Sequence, residues 1–141
     1  MEIREFELRD QAAVIALWNE CQLVVPWNDP ARDIQRKLAV DPDLFLVGEY
    51  SGSLVATVMG GYEGHRGWIN YLAVSPAWQR RGFGRKIMQY VEVLIREKGC
   101  PKINLQVRET NQAVVSFYES LGYQCDHVIG LGKRLVSDDG S

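Results

Sequence analysis

The residues best suited to chemistry form a short basic segment with two glycines, residues 79–84, which read QRRGFG. The segment lies between a stretch typical of a strand and a stretch typical of a helix. The first turn of a helix carries free N–H groups and a partial positive charge, so it favours anions. Glycines let a phosphate approach the backbone closely, and arginines add charge-assisted hydrogen bonds. The segment therefore predicts a site for a small polyphosphate.

Two common nucleotide-binding loops are excluded by the same residues. The P-loop pattern GxxxxGK[ST] does not occur in the sequence. The dinucleotide pattern GxGxxG fails because Ile87 stands where the third glycine belongs, and the acidic residue expected on a following strand is missing. A plain turn with solvated arginines is the alternative. The junction between strand and helix, with its clustered arginines, argues against that alternative.

The elements that position this segment are predicted from the spacing of apolar residues. Helical spacing predicts four helices. The first is capped by Asp10 and reaches Cys21, and the second covers about 30–40. The third runs from the basic segment to Lys98, and the fourth covers about 111–121. Alternation predicts strands at residues 3–7, 44–50, 54–62, 68–74 and 102–107, with the last strands within 123–136. The strand–helix–strand crossover from 68 to 107 implies a parallel pair inside a mixed sheet.

Length and composition predict one domain over residues 1–141, because 141 residues suffice for one core. The content is ordinary for a soluble protein, with 46% hydrophobic and 24% charged residues. We expect a cytoplasmic protein without membrane association, since no long apolar run and no signal-peptide pattern occurs. The net charge of −2 argues against nucleic acid as a partner, since such binders usually carry a basic excess.

The cysteines and histidines do not form a recognisable metal or nucleophile motif. Cys21, Cys100 and Cys125 are scattered and contain no CxxC pair, so we predict no metal site and three free thiols. A Cys–His nucleophile pair stays open because His65 and His127 are present. Neither histidine lies in a context that suggests such a pair.

Two spaced motifs between Val74 and Tyr123 resemble those of the GNAT superfamily of N-acetyltransferases. The first is QxxGxG after the strand that ends LAVSP, and the second is NxAxxxxYExLGY, which runs from Asn111 to Tyr123. Further segments (PWNDP at 26–30, MGGY at 59–62, GHRG at 64–67 and LGKRL at 131–135) resemble the YpeA type of small bacterial GNAT proteins. The likeness covers essentially the whole chain, although only the two motifs are specific.

The resemblance implies a single-domain α/β (α+β) fold. Its mixed central sheet would contain an antiparallel meander and a parallel strand pair splayed around the cofactor, flanked by about four helices. It also implies an acyltransferase that passes an acetyl group from acetyl-CoA directly to a primary amine of a small molecule or a protein. A non-catalytic acyl-CoA-binding module on the same fold is the alternative. Family members often dimerise, so a homodimer stays open.

The resemblance also assigns site residues. The strand edge would pair with the pantetheine arm, and the loop and helix start would take the pyrophosphate. The cofactor-binding residues implied are Leu72, Ala73, Val74, Gln79, Arg80, Arg81, Gly82, Phe83, Gly84, Arg85 and Asn111. The acceptor pocket would involve Trp27, Asn28, Asp29 and Tyr62, with an N-cap as the equal alternative for Asp29.

Tyr118 would donate a proton to the departing thiolate. A phenol of pKa about 10 is a weaker acid than a thiol of pKa about 8.5, so this transfer is uphill by roughly 2 kcal/mol. A positive local environment would lower the pKa of the phenol and narrow the gap.

The base that deprotonates the amine is not predicted, because Gln106 stands where bacterial ribosomal-protein acetyltransferases carry a glutamate. Glu49, Glu63 and His65 are unranked substitutes.

Overall fold

A computed structural model describes residues 1–138, in which five strands form one sheet in the order β1-β2-β3-β4-β5. Neighbouring strands are antiparallel except for β4 and β5, which run parallel. This arrangement confirms the predicted mixed sheet with a meander and one parallel pair. The strands are β1 Glu2–Glu5, β2 Phe45–Tyr50, β3 Ser53–Tyr62, β4 Gly67–Val74 and β5 Ile103–Asn104.

Four α-helices lie within the described residues, as the resemblance implied. They are α1 Gln11–Glu20, α2 Pro30–Ala39, α3 Phe83–Glu97 and α4 Gln112–Ser120. Asp29 caps α2, because its carboxylate accepts from the N–H groups of Ala31 at 2.9 Å and Arg32 at 3.3 Å. None of the helices within residues 1–138 is both long and apolar enough to cross a bilayer.

Asp10 stands at the position predicted for the cap of α1, but its carboxylate does not cap that helix. It binds the guanidinium of Arg4 on β1 through two contacts of 2.8 and 2.9 Å. It also accepts from the N–H group of Glu7 at 2.8 Å. A nearby arginine is a stronger partner for a carboxylate than a backbone amide, so the side chain turns towards β1.

The sheet has a hydrophobic core on each face, and consecutive residues of β2 alternate between them. Phe45 and Val47 pack with α1 and α2, whereas Leu46 packs with α3. The first core includes Val14, Leu17, Trp18, Ile34 and Met59, and the second includes Val58, Ile69, Ile87, Val91 and Ile95.

Helix α3 approaches the backbone of β3 closely at Gly60. A Cβ atom there would lie 2.7 Å from Val91 Cγ2 and 3.0 Å from Ile95 Cδ1, both on α3. The absent side chain therefore sets the distance between helix and sheet. The register of β3 against β4 shifts nearby, between Thr57 and Met59.

The strands predicted at the C-terminal end are wrong. Strand β5 comprises Ile103–Asn104 rather than residues 102–107, and no strand occurs between 105 and the last described residue. A strand needs a partner for its backbone groups, and alternation in the sequence does not supply one. The chain also turns at His127, whose φ is 53°. Residues 128–136 consequently leave apolar side chains exposed, among them Ile129 at 86% and Leu131 at 91%.

Candidate functional site

Strands β4 and β5 separate soon after they begin. They pair only through Gly67 with Ile103 and Trp68 with Asn104. Within residues 1–138, the rest of β4 has no strand partner on that side, although it pairs with β3 on the other. An unpaired edge presents N–H and C=O groups that an extended ligand can use. Leu72, Ala73 and Val74 lie on this edge.

Strand β4 has a bulge shortly after its last pair with β5. Tyr71 and Leu72 both stand opposite Val58 of β3, and Tyr71 has a positive φ of 51°. Thr57 Oγ1 donates to the carbonyl oxygen of Tyr71 at 2.9 Å and accepts from Trp18 Nε1 at 3.0 Å. The Trp18 and Tyr71 rings stack with centroids 3.9 Å apart. These contacts hold a backbone conformation that a non-glycine residue otherwise disfavours.

The basic segment leads into the N-terminus of α3. Gly82 stands before the helix with φ 79°, which only glycine adopts without cost, and a Cβ atom there would meet no described atom within 4 Å. Arg80 also has a positive φ, of 66°. The first N–H groups of α3 have no helical acceptor, so this open loop can receive an anion.

The side chains of the basic segment differ in their surroundings. Arg81 stacks on Trp78 at 4.8 Å, and Arg85 donates to the carbonyl oxygen of Ser120 at 3.3 Å. Gln79 Nε2 donates to the carbonyl oxygen of Val74 at 3.1 Å and so ties the loop to the end of β4. Phe83 is a core residue only 6% exposed, so only its backbone can meet a ligand.

Helix α4 joins the loop and the end of β4. A Cβ atom on Gly84 would lie 3.1 Å from the Phe117 ring and 3.6 Å from Val74 Cγ2. Asn111 caps α4 through Oδ1, which accepts from the N–H group of Val114 at 3.3 Å. The structure thus brings the strand edge, the basic segment and the second motif to one end of the sheet.

Tyr118 lies on α4 in the core, 8% exposed, between the rings of Phe117 and Tyr123. Burial raises the pKa of Tyr118 to about 12, which is opposite to the lowering that a positive environment would produce. Within residues 1–138 every fully buried side-chain oxygen has a hydrogen-bond partner. The Tyr118 hydroxyl makes no hydrogen bond there, so it must retain contact with solvent.

A cavity of about 640 Å³ lies beside the bulge, between α2, the connection before it and β4. Of the residues predicted for an acceptor pocket, Trp27 and Asn28 line it, whereas Asp29 caps α2. Tyr62 lies at the end of β3, where its hydroxyl donates to the carbonyl oxygen of Gly64 at 3.2 Å. The remaining lining residues are Leu23, Val25, Asp33, Arg36, Lys37, Val40, Met59, Asn70, Tyr71 and Arg108.

Apart from Asn28, the polar residues of this cavity were not predicted from the sequence. The Tyr71 hydroxyl donates to Asp33 Oδ2 at 2.6 Å, and burial together with that carboxylate raises the pKa of Tyr71. Lys37 Nζ donates to the carbonyl oxygen of Gly60, and burial lowers the pKa of Lys37. One signal was available, because the spacing of Asp33 and Lys37 places both on one side of a helix.

The three substitutes for the base lie outside this cavity. Glu49 accepts from Arg4 Nε at 2.8 Å on the outer part of the sheet. Glu63 accepts from the N–H groups of His65 and Arg66, and these hydrogen bonds lower its pKa, which makes it a weak base. Gln106 faces Gly130, whose Cβ position would lie 3.0 Å from Gln106 Nε2.

Comparison with known proteins gives consistent matches. The model of the acetyltransferase (GNAT) family matches residues 12–123. Acetyltransferase YE1169 of Yersinia enterocolitica is 51% identical over 138 residues, which cover 98% of each chain. The crystal structure of Ard1 from Thermoplasma volcanium has a TM-score of 0.71 at 26% identity, covering 86% of this chain and 80% of that one.

A further solved structure has the same fold at low identity. It is AAC(6')-Iy in complex with the bisubstrate analogue CoA-S-monomethyl-acetylneamine. It has a TM-score of 0.77 at 18% identity and covers 94% of this chain and 97% of that one.

Proposed function

This chain belongs to the GNAT acetyltransferase family, and on that premise we propose that it transfers the acetyl group of acetyl-CoA directly to a primary amine. Membership makes it an acyltransferase whose acetyl donor is acetyl-CoA. The observation that supports direct transfer to a primary amine is the separation of β4 from β5 beside the N-terminus of α3 and Tyr118. In this proposal, the edge would hold an extended amide chain, the helix N-terminus would hold an anion, and Tyr118 would donate a proton.

The open edge of β4 would hold the pantetheine arm through Leu72, Ala73 and Val74, by backbone hydrogen bonds of the kind that add a strand to a sheet. Residues 80–85 would hold the pyrophosphate, with Asn111 as a further contact. The carbonyl oxygen of Val74 already accepts from Gln79 and from Cys21 Sγ at 3.3 Å. The N–H groups of this edge are therefore the stronger candidates for ligand contacts.

When bound, acetyl-CoA supplies a thioester that an uncharged amine can attack. Backbone N–H groups near the bulge at Tyr71 and Leu72 would stabilise the negative charge that develops on the carbonyl oxygen, as such donors do in acyl transfer. The buried hydrogen bond from Thr57 keeps this backbone in place before any ligand binds.

Tyr118 would hold the proton that the leaving thiolate needs. With its pKa raised to about 12, it is fully protonated near neutral pH. Proton transfer to a thiolate of ordinary pKa, about 8.5, would be uphill by roughly 5 kcal/mol. The same desolvation that raises the pKa of the phenol also raises that of a thiol held beside it, so the gap narrows once water is displaced.

The amine would enter through the cavity beside the bulge. Asp33 is the one carboxylate among its described lining residues, and the Tyr71 hydroxyl orients it from 2.6 Å. A carboxylate can hold the ammonium form of the acceptor and take up its proton, directly or through one water. Asp33 is thus our candidate for the base that deprotonates the amine, a role that the amide of Gln106 cannot fill.

The first test is the melting temperature with and without acetyl-CoA, together with release of free CoA thiol across a panel of primary amines. A ligand at a hundred times its Kd adds roughly 2.7 kcal/mol to stability, which for a domain of this size raises Tm by about 10 °C. Gly82→Glu should abolish that rise, because a carboxylate would occupy the anion site.

Gly52→Glu is the matched control. Gly52 has φ 75°, close to the 79° of Gly82, and a Cβ atom there also meets no described atom within 4 Å. Gly52→Glu adds the same backbone strain and the same charge as Gly82→Glu. Because Gly52 lies in the β2–β3 turn, the substitution leaves the proposed anion site unchanged. No rise in Tm with the parent protein and no CoA release would refute the proposal.

A further inference from the structure

The cavity beside the bulge has more positive than negative side chains. Its described lining contains Arg36, Lys37 and Arg108 against the single carboxylate of Asp33. Arg36 is already paired, since Nη1 lies 3.2 Å from Asp33 Oδ1 and Nη2 lies 2.6 Å from Asp138 Oδ1. The excess positive charge therefore belongs to Lys37 and Arg108.

Neither of these two cations forms an ion pair within 4.0 Å among residues 1–138, although Asp41 and Asp43 attract Lys37 at longer range. Lys37 donates only to the carbonyl oxygen of Gly60, and no ion pair within 4.0 Å involves it. The Arg108 guanidinium makes no hydrogen bond or ion pair with the described residues. The two residues come from α2 and from the segment after β5, and both line this cavity.

An anion bound between them would relieve a cost. Half-buried Lys37 has lost part of its hydration, and burial lowers its pKa, so its charged form gains from a nearby negative group. A guanidinium presents a planar set of donors that matches a carboxylate in two parallel hydrogen bonds. A polycationic amine would instead meet repulsion from both side chains.

We infer that the amine acceptor is an amino acid, a small molecule that carries a carboxylate beside its amine. The carboxylate binds Arg108 and Lys37, and the amine lies towards Asp33 and Tyr71. Trp27, 57% exposed, provides an apolar surface for its side chain at the cavity wall. The inference rests on the proposed acetyl transfer and names the substrate class of the same site.

The size of the cavity agrees with one small acceptor. Ligand sites usually range from about 300 to 1,000 Å³, and this cavity of about 640 Å³ lies within that range. Its walls are apolar at Leu23 and Val25 and polar at the end formed by Asp33 and Tyr71. An apolar amino acid would place its side chain against the apolar wall and its amine at the polar end.

The test compares L-phenylalanine with L-phenylalaninamide as acceptors, at saturating acetyl-CoA, by release of free CoA thiol. We expect kcat/KM for the acid to exceed that for the amide by about 10-fold or more, as for a hydrogen-bonded charged group. Amidation lowers the pKa of the amine and so increases its reactive uncharged fraction near pH 7. A preference for the acid therefore reports binding rather than intrinsic reactivity.

Substitutions test whether Arg108 causes the preference for the acid over the amide. Arg108→Gln should reduce kcat/KM for the acid by about 10- to 100-fold and leave the amide within about 2-fold of the parent. Arg108→Lys should restore part of the loss, because it returns the charge without the planar donor set. Arg66→Gln is the control, since Arg66 lies in the β3–β4 turn and its Nη1 donates to the carbonyl oxygen of His65 at 3.0 Å.

A binding measurement gives a readout that does not depend on turnover. Calorimetry with N-acetyl-L-phenylalanine and its carboxamide, on the protein with CoA bound, should show tighter binding of the acid and loss of the difference in Arg108→Gln. Equal use or equal binding of acid and amide, or spermidine as the better acceptor, would overturn the inference while acetyl transfer stands. Absence of both an acetyl-CoA thermal shift and CoA release from any amine would instead defeat the proposed function.

Discussion

Thr57 donates its hydroxyl hydrogen to the backbone carbonyl of Tyr71 across 2.9 Å, inside the core between the sheet and α1. The same hydroxyl accepts from Trp18 Nε1, so one buried oxygen links α1, β3 and the bulge of β4. The bulge lies in the part of β4 beyond its last pair with β5, Trp68 with Asn104. A core residue therefore controls the shape of the edge to which we assign the cofactor.

Thr57→Val should destabilise the protein by about 2–4 kcal/mol. The valine has nearly the same shape, but it leaves the Trp18 N–H group and the Tyr71 carbonyl buried without partners, at about 1–3 kcal/mol each. Urea unfolding measures the loss, and the acetyl-CoA thermal shift of the folded variant should shrink as the bulge relaxes. Thr57→Ser is the control, because it keeps the hydroxyl. A valine variant with unchanged stability would show that this link is dispensable.

Tyr118→Phe should lower kcat by about 10²- to 10⁴-fold, the range typical of a lost general acid. The melting temperature should stay within a few degrees, since the Tyr118 hydroxyl makes no hydrogen bond within residues 1–138. Tyr123→Phe is the opposite control. Its hydroxyl donates to Glu92 Oε2 at 2.6 Å, so that variant should lose stability and keep kcat. Full turnover by Tyr118→Phe would remove Tyr118 from the mechanism.

For an amine acceptor without a carboxylate, the pH profile of kcat/KM should rise with pH and show no falling limb up to about pH 10. The rise reflects loss of a proton from the amine, which must be uncharged to attack. Tyr118 must be protonated to donate, and with its pKa raised to about 12 it stays protonated over the accessible range. Steady-state kinetics from about pH 6 to 10 measures this. A falling limb near pH 8–9 would mean a lower pKa for the acid or a different acid.

Gly60→Ala should destabilise the protein by about 1–3 kcal/mol, the usual cost of overpacking. Its new methyl group would lie 2.7 Å from Val91 Cγ2 and force α3 away from β3. Gly61→Ala is the neighbouring control, because its Cβ would meet only Lys37 Nζ, at 3.6 Å. Urea unfolding of the two variants compares them directly. Equal stability of both would show that α3 can shift without cost.

Asp10→Asn should cost about 2–3 kcal/mol near pH 7 and weaken the dependence of stability on acid. The Arg4 guanidinium holds the pKa of Asp10 below its ordinary value. A lowered folded-state pKa means that this stabilisation is complete above the unfolded pKa of about 3.9 and is lost as the pH falls through the folded value. The cost of the substitution follows from leaving a partly buried arginine with Glu49 as its one remaining carboxylate partner among the described residues.

Urea unfolding between pH 7 and pH 3 measures this effect. Glu7→Gln is the control, because Glu7 and Arg9 form an exposed pair that should contribute less than about 1 kcal/mol. The stability of both variants should still depend partly on acid through Asp138, because Arg36 also holds the pKa of Asp138 below its usual range. An Asp10→Asn variant with the parent's acid profile would contradict the assignment.

The sequence alone was enough to predict the order of the elements and the segments with cofactor motifs. The four helices follow from local spacing and end signals, because a helix satisfies its backbone hydrogen bonds within itself. The capping role of Asp29 was visible for the same reason. Strand bounds were predicted less well, because residues 105–107 and the strands expected within 123–136 are not strands in the structure. A strand's hydrogen bonds depend on a neighbour that the local sequence does not reveal.

Only the tertiary structure decided the cavity beside the bulge. Asp33, Tyr71 and Arg108 lie far apart in the sequence and line one cavity only in the folded chain. Burial likewise set the pKa of Tyr118, in the direction opposite to the expectation from charge. Motifs record which residue types stand at which spacing, whereas cavities and desolvation arise from packing between distant segments.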